Sequence, residues 1–300
     1  MTAGWKGLIV AGGVGSRLHP MTRLFNKHLL PVYDKPMIYY PLTTLMLGGI
    51  RDIVVISTPA ALPQFAQLMG DGSQWGVSIS YFPQERPNGI AEGLRIAAPS
   101  IRGCNVACML GDIILVGAGL GRVLSIAAER NDGASIFAYE VANPASFGVV
   151  TLDPDGRPVS IVEKPQDPTS KLAVIGLYLY GPDVVDIAAV LSPSRRGELE
   201  ITDINRSYLD QARLKVYPLG RGFAWLDGGT SSNLFEASQF IKVMEARTGL
   251  KIGCPEEVAY RMGYITRDVL SVLARRMPES KYSRYLLSIA ASERPDTHLS

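Results

Sequence analysis

Short apolar runs rich in valine and isoleucine alternate with helical patterns along the first half of the chain. The runs that predict strands cover residues 6–11, 51–58, 77–82, 105–110 and 133–141. The segments that predict helices lie between them, at residues 36–48, 63–69, 89–98 and 120–130. This alternation predicts an α/β fold, with a mostly parallel, Rossmann-like central sheet and helices on both faces.

The pattern becomes β-rich from about Phe147, where the segments FGVVTLD, GRPVSIVEKP and LAVIGLYLY follow one another. A helical pattern covers residues 201–212, and the strand-like segments KVYPL and FAWLD come next. Residues 231–247 form a long helical stretch, and the rest of the chain is also helical in pattern. We therefore predict one catalytic domain over residues 1–250 with a helical C-terminal extension over 251–300, because 300 residues allow one or two domains.

Composition narrows the possible partners. The chain has 30 basic and 28 acidic residues, a balance that argues against nucleic acid or a charged membrane surface as a partner. Three cysteines and three histidines leave little room for a disulfide framework, a four-ligand zinc site or histidine chemistry. No apolar stretch reaches the roughly 18 residues of a membrane span, and the N-terminus lacks a signal-peptide pattern. We expect a soluble, cytoplasmic protein.

Candidate ligand-binding residues follow the predicted strands. Ligands of parallel α/β sheets bind outside the carboxyl ends of the strands. Gly12, Gln84 and Asp112 each lie at or just after such an end. Glycines 12, 13 and 15 leave successive backbone N–H groups unshielded, so the loop that they form could hold a phosphate.

Two basic residues fit the same interpretation. The guanidinium of Arg17 suits phosphate oxygens, and Lys27 follows the glycine loop closely enough to reach them. A dinucleotide fingerprint starting at Gly13 would need glycine where Leu18 stands, and the chain has no Gly-Lys-Ser/Thr of a Walker A loop. The sequence thus predicts a nucleotide site that is neither a dinucleotide-binding site nor a Walker A loop.

The segments AGGVGSR and KHLLPVYDKPMIYYPL make the chain resemble the sugar-1-phosphate nucleotidyltransferases, most closely the glucose-1-phosphate thymidylyltransferases. The resemblance continues through YFPQERPNGIAEG, MLGD, VEKP, RGELEITDIN and GRGFAWLDGGT to about residue 265. It implies condensation of dTTP with glucose 1-phosphate to dTDP-glucose and pyrophosphate, as a step of deoxysugar biosynthesis. It also implies Mg²⁺ as cofactor, in-line attack on the α-phosphorus and a homotetramer.

The resemblance assigns a role to each matching position. The catalytic residues would be Arg17, Lys27, Lys164 and Arg196. The nucleotide would be bound by Gly12, Gly13, Gly15, Ser16, Gln84, Pro87 and Gly89. The sugar phosphate would be bound by Gly148, Glu163, Lys164 and Val174. The metal ligands would be Asp112 and Asp227.

Strand alternation complicates one of these assignments. Glu163 and Lys164 are consecutive, so a regular strand would point them to opposite faces. Both can line one site only at a strand end or a bulge. We therefore expect one of these irregularities at Glu163.

Several positions depart from the pattern of the family. His28, Asn88, Glu92, Ile113 and Gly228 stand where Gln, Asp, Gln, Asn and Thr are usual. Because Ile113 cannot hydrogen-bond, we expect its replacement by Asn to leave activity equal or raise it. The departures keep two alternatives open: a relative that uses another sugar 1-phosphate or UTP, and a nucleotide-binding regulator that has lost turnover.

Overall fold

The computed structural model of the protein describes residues 4–292. The strands of this part are β1 (Trp5–Ala11), β2 (Pro31–Val32), β3 (Lys35–Pro36), β4 (Asp52–Ser57), β5 (Ser78–Pro83), β6 (Asn105–Leu110), β7 (Ile113–Gly117), β8 (Ala134–Glu140), β9 (Gly148–Leu152), β10 (Pro158–Glu163), β11 (Leu172–Tyr180), β12 (Leu214–Leu219) and β13 (Phe223–Asp227). The helices are α1 (Tyr39–Leu47), α2 (Leu62–Met69), α3 (Ile90–Ile101), α4 (Leu120–Glu129), α5 (Val184–Val190), α6 (Ile201–Asp210), α7 (Ser231–Thr248), α8 (Pro255–Arg261), α9 (Arg267–Arg276) and α10 (Lys281–Ala291).

A nine-stranded sheet organises the molecule, with the order β10-β9-β11-β6-β1-β4-β5 along its main path. Strands β6, β1, β4 and β5 are parallel, and their valines and isoleucines are buried because helices cover both faces. The other half is antiparallel around β11, and β12 joins it by pairing with β8. The predicted α/β class with a parallel, Rossmann-like sheet and a β-rich second part is confirmed.

The five strands predicted in the first half correspond to β1, β4, β5, β6 and β8. The sequence pattern did not predict β7, which pairs antiparallel with β13 outside the main sheet. Helix α1 begins at Tyr39, three residues later than predicted, because Lys35–Pro36 forms a small hairpin with β2. Strands β6, β7 and β13 together determine where the two candidate metal ligands lie.

Two apolar clusters fill the two faces of the sheet. One contains Leu42, Phe65 and Leu124 from α1, α2 and α4, and the other contains Leu94 and Ile204 from α3 and α6. Each fully buried side chain of this size contributes about 1.5–3 kcal/mol to folding. Helices on both faces, as predicted, therefore hold the strand ends in place.

Helices α8–α10 pack onto the α1 face. Val258, Leu270 and Leu286 belong to the same apolar cluster as α1, and Tyr264 Oη donates to the Met46 carbonyl at 2.9 Å. The helical character of the predicted C-terminal extension is confirmed as far as residue 292, whereas residues 293–300 lie outside the described part. No helix in the described range combines the length and the apolar character that crossing a membrane requires.

Four charged side chains connect the β2–β3 hairpin, α7 and the start of the C-terminal extension. Lys35 Nζ lies 2.5 Å from Asp34 Oδ1 and 2.7 Å from Glu245 Oε1. Lys251 Nζ contacts Asp34 and lies 3.1 Å from Glu245 Oε2. Burial, the largest single influence, raises the pKa of Asp34, but the hydrogen bonds and positive charges of Lys251 and Lys35 together hold this pKa below the ordinary value of 3.8.

Candidate active site

The glycine loop leaves β1 at the carboxyl edge of the sheet. At Gly12 a Cβ atom would lie 2.0 Å from Gln84 Oε1, so only glycine fits there without moving Gln84. Gly15 adopts φ +65°, a left-handed conformation that favours glycine, and starts the short 3₁₀ turn Ser16–Leu18.

Lys27 and Asp112 form an ion pair next to this loop. Lys27 Nζ lies 2.5 Å from Asp112 Oδ2, and both side chains are about 85% shielded from solvent. Burial, the largest single influence, raises the pKa of Asp112, but the charge of Lys27, the neighbouring His28 and the hydrogen bonds to the carboxylate together lower this pKa below its ordinary value. Asp112 is therefore an ionised carboxylate beside the glycine loop.

The glycine loop, the ion pair and Gln84 line a single cavity of about 210 Å³. The predicted site residues in its wall are Gly12, Gly13, Lys27, Gln84, Pro87, Gly89 and Asp112. Gly15, Ser16 and Arg17 lie outside this wall, on the turn that follows the loop. The structure thus brings most of the predicted nucleotide residues together in one place.

The wall around Gln84 is a connected polar network. Gln84 Nε2 donates to Glu92 Oε2 at 2.7 Å and to the Gly89 carbonyl at 3.2 Å, and Asn88 Nδ2 donates to Glu92 Oε1 at 2.8 Å. Gln84 is 3% exposed, whereas an unpartnered loop glutamine would normally lie at the surface. Burial inside the cavity wall gives its amide a fixed position.

Backbone hydrogen bonds attach this wall to the segment before α6. Leu199 N donates to the Asn88 carbonyl at 2.7 Å, and Ala91 N donates to the Leu199 carbonyl at 3.2 Å. At Gly89, with φ +107°, a Cβ atom would lie 2.4 Å from the Leu199 carbonyl oxygen. The segment that carries Arg196 and Glu200 is therefore tied to the loop that carries Gly89.

The predicted sugar-phosphate residues gather where β10 ends. Glu163 is the last residue of β10, and Lys164 has φ +43°, so the alternation of the strand stops between them. This confirms the expected strand end. Glu163 Oε2 accepts from Thr202 Oγ1 at 2.5 Å, and a Cβ at Gly148 would lie 3.3 Å from the same carboxylate oxygen and 3.9 Å from Val174.

Arg196 lies beside this group and is already paired with carboxylates. Its guanidinium donates to Glu200 Oε2 at 2.7 Å and lies 3.5 Å from Glu163 Oε1. Burial, the largest single influence, lowers the pKa of Arg196, but the hydrogen bond to Glu200 and the charges of Glu200, Glu198 and Glu163 together raise this pKa above its ordinary value. The Lys164 side chain is about half exposed, with Nζ 3.9 Å from Glu163 Oε1.

Asp227 reaches the site through β13. It ends that strand opposite Ile113, and Gly228 N donates to the backbone carbonyl of Asp112 at 3.1 Å. Its carboxylate accepts from Asn233 Nδ2 at 3.0 and 3.1 Å and from Gly229 N at 2.8 Å. Arg17 is next to it, because a Cβ at Gly229 would lie 2.8 Å from Asp227 Oδ1 and 3.2 Å from Arg17 Nη2.

The two aspartates are suitable ligands for Mg²⁺, which takes one or two protein carboxylates and completes its coordination with water and phosphate oxygens. No group of three or more histidine, cysteine or acidic side chains within residues 4–292 is arranged for metal binding. Asn233 and Gly229 hold the Asp227 carboxylate in one orientation, as hydrogen bonds to metal ligands commonly do.

Two departures from the family pattern have structural neighbours that explain them. Ile113 is 4% exposed and packs in the apolar cluster of the α1 face. At Gly228, a Cβ would lie 2.2 Å from the Met37 methyl group, so Met37 occupies the space that a side chain at 228 would need. Asn at position 113 would place its amide in an apolar cluster, so we expect the replacement to destabilise the protein, while its effect on activity stays a prediction.

Sequence reasoning missed three residues that hold predicted ones. Thr202 binds Glu163, Asn233 binds Asp227, and Glu92 binds Gln84. Of the three, Asn233 had a signal in the sequence, because Thr230 lies three residues before it, as an N-cap does. In the structure the Thr230 hydroxyl accepts from the Asn233 N–H at 3.2 Å. The other two contacts join residues of different elements and have no local pattern.

Comparison with known proteins places the chain in a family. The family model for nucleotidyl transferases matches residues 6–243. A glucose-1-phosphate thymidylyltransferase of Mycolicibacterium smegmatis is 51% identical over 96% of this chain and 100% of its own length. One from Neisseria meningitidis is 50% identical over 95% of this chain and 99% of its own length.

Solved structures share the fold. A Bacillus anthracis crystal structure, assigned as a glucose-1-phosphate thymidylyltransferase and in complex with a sucrose, is 36% identical with a TM-score of 0.73. The match covers 79% of this chain and 94% of that one. A UDP-glucose pyrophosphorylase complexed with UDP-glucose has a TM-score of 0.71 at 24% identity, covers 80% of this chain and 98% of its own, and supports the fold alone. The chain is a member of the nucleotidyl transferase family.

Proposed function

We propose that the protein condenses dTTP with glucose 1-phosphate to form dTDP-glucose and pyrophosphate. The observation that carries the proposal is the single cavity in which the glycine loop, the Lys27–Asp112 pair and Gln84 meet. The names of relatives that share about half of their residues with this chain support the same reaction.

The reaction needs positioning and charge neutralisation rather than a protein nucleophile. An oxygen of the sugar phosphate attacks the α-phosphorus of dTTP in line, a new P–O bond forms, and the bond to the pyrophosphate group breaks. Backbone N–H groups of the glycine loop, Arg17 and Lys27 bind the triphosphate and stabilise its charge during this step. The free cysteines have no assigned role in this step.

The remaining predicted residues divide into a base side and a sugar side. Gln84 and the backbone of Gly89 would contact the thymine edge, and Pro87 would line the same wall. Lys164 would pair with the sugar phosphate, while Glu163 would accept hydrogen bonds from sugar hydroxyls. Thr202 supports that role, because its hydrogen bond fixes the Glu163 carboxylate. Gly148 would leave room for the sugar ring, and Val174 would pack against the ring. Arg196 would lie near the phosphates.

Asp112 and Asp227 would hold Mg²⁺, which would supply further neutralisation of phosphate charge. We also propose that the protein works in the cytoplasm, a reducing compartment in which three free cysteines remain stable, and that it forms a homotetramer. Sedimentation velocity of the full chain tests the oligomer. A monomer or dimer at micromolar concentration would contradict that part.

The direct test is pyrophosphate release with Mg²⁺, measured for a panel of sugar 1-phosphates against dTTP, UTP, dCTP and ATP. We expect the highest kcat/KM with dTTP and glucose 1-phosphate. The variant Lys27→Gln should lose turnover, whereas Lys281→Gln, which changes an exposed lysine at the start of α10, should match the wild type. Absence of turnover with every pair, together with intact dTTP binding, would favour the regulator alternative.

A further inference from the structure

The side-chain amide of Gln84 has a defined orientation. Its Nε2 group donates to Glu92 Oε2 and to the Gly89 carbonyl. Its Oε1 atom accepts no hydrogen bond from any residue in the range 4–292, and it lies at the cavity wall against Gly12. The acceptor end of the amide therefore remains available to a ligand in the cavity.

Glu92 keeps the amide in that orientation. An ionised carboxylate only accepts hydrogen bonds, so a 180° flip of the amide would set Oε1 against a carboxylate and a carbonyl. Both donor contacts would then be lost and replaced by repulsion between acceptors. The Glu92 carboxylate is itself fixed, because Asn88 donates to its other oxygen and because it lies in the first turn of α3, where the helix dipole favours negative charge.

We propose that Glu92 is a positioning residue that sets the nucleobase specificity of the site. By holding Nε2 of Gln84, it presents Oε1 to the cavity as an acceptor. Among the pyrimidines, an acceptor at this point favours thymine and uracil, whose N3 carries a hydrogen, and rejects cytosine, whose N3 is itself an acceptor. The inference rests on the proposed nucleotidyl transfer and names how that site discriminates among nucleotides.

The proposal separates two replacements of similar size. In Glu92→Met the carboxylate acceptor is lost and only the 3.2 Å contact to the Gly89 carbonyl remains, so the Gln84 amide can rotate and offer Nε2 to cytosine N3. In Glu92→Gln the amide oxygen can still accept from Gln84, so the orientation is retained. A merely structural role for Glu92 would lower activity with every nucleotide and leave their ratio unchanged.

The experiment measures kcat/KM for dTTP and dCTP, with glucose 1-phosphate as the second substrate. We expect Glu92→Met to lower the ratio of kcat/KM for dTTP to that for dCTP at least about tenfold. The wild type rejects dCTP because cytosine N3 and Gln84 Oε1 are both acceptors and would stay unpaired. Glu92→Gln should stay within about threefold of the wild type. Glu129→Met, which changes an exposed glutamate at the end of α4, serves as the matched control. Circular dichroism and thermal unfolding verify that each variant is folded.

Equilibrium binding distinguishes failure of this inference from failure of the proposed function. Calorimetric titration with dTTP and with dCTP, in the absence of sugar phosphate, gives the selectivity without turnover. A selectivity that falls in Glu92→Met but not in Glu92→Gln supports the positioning role even when no pyrophosphate is released. A Glu92→Met ratio within about twofold of the wild type, or no nucleotide binding by the wild type, would overturn it.

Discussion

Lys27 Nζ lies 2.5 Å from a carboxylate oxygen of Asp112, although 85 positions separate the two residues. The pair joins the loop after β1 to the end of β6, and each partner is mostly buried. A buried cation and a buried anion stabilise each other only while both are present. The charges that the proposed reaction requires are thus already in place before a triphosphate arrives, which lowers the cost of arranging them.

Replacement of Lys27 by Met tests that arrangement. We expect kcat/KM for dTTP to fall at least about 100-fold, because a positioned charge that stabilises the triphosphate is lost. Asp112 also loses its partner, so the free energy of unfolding should fall. Pyrophosphate release and urea unfolding measure the two effects. Wild-type kcat/KM in a folded Lys27→Met protein would exclude the proposed role.

Lys164 should affect the other substrate. In Lys164→Ala we expect a higher KM for glucose 1-phosphate or a lower kcat, with the dTTP dissociation constant within about twofold, because its ammonium lies beside Glu163 rather than at the glycine loop. Steady-state kinetics and calorimetry with dTTP provide the readouts. If Lys164→Ala weakened dTTP binding while Lys27→Met did not, the two assignments would have to be exchanged.

Asp112→Ala and Asp227→Ala should each lower kcat at least about 100-fold with folding retained. Asn233→Ala leaves both aspartates in place but frees the Asp227 carboxylate, so we expect about a tenfold higher Mg²⁺ concentration for half-maximal rate. The measurement is pyrophosphate release as a function of Mg²⁺ concentration. Wild-type turnover without Mg²⁺, or an unchanged Mg²⁺ requirement in Asn233→Ala, would contradict the assignment.

Ile113→Asn should destabilise the protein by about 2–5 kcal/mol, because it removes a buried apolar side chain and places an amide in an apolar cluster. Ile113→Val is the matched control and should cost about 0.5–1.5 kcal/mol. Chemical denaturation gives both values. An Ile113→Asn protein as stable as the wild type would show that its amide finds partners at this position.

The cluster of four charged side chains should make the free energy of unfolding depend on pH in the acidic range. Its members are Lys35, Asp34, Glu245 and Lys251. The pKa of Asp34 lies below 3.8, so its contribution is present above that value and is lost as pH falls through the lowered pKa. We expect Lys251→Met to be less stable than the wild type at pH 7 and to lose less stability between pH 5 and pH 3. If the free energy of unfolding fell equally between pH 5 and pH 3 in both proteins, the Asp34–Lys251 ion pair would contribute nothing to the pH dependence.

The parallel half of the fold could be predicted because its strands carry their own signal. The strands Trp5–Ala11 and Asn105–Leu110 are buried and apolar in their interiors, and glycine follows each of them. Strand β7 could not be predicted, because its partner β13 follows more than a hundred residues later and no local pattern records that pairing. The position of Asp227 beside Asp112 depends on this pairing.

The sequence could predict which residues bind substrate but not which residues hold them in position. The motifs identified Gln84, Glu163 and Asp227 as binding residues from their resemblance to a family. Their hydrogen-bond partners Glu92, Thr202 and Asn233 lie on helices, and a helix register has to be known before such contacts can be named. Glu163 is an intermediate case, because alternation along β10 predicted a strand end or a bulge there and the structure shows a strand end.

The backbone hydrogen bonds of Leu199 have a consequence for how substrate range can change. Leu199 is bonded to Asn88 on the base side and to Ala91 at the start of α3, and its own segment carries Arg196 and Glu200 toward the sugar side. A substitution that shifts one loop shifts the other, so nucleotide preference and sugar preference are not independent traits of this scaffold. Libraries that vary both loops together will contain combinations that stepwise selection on either substrate alone would discard.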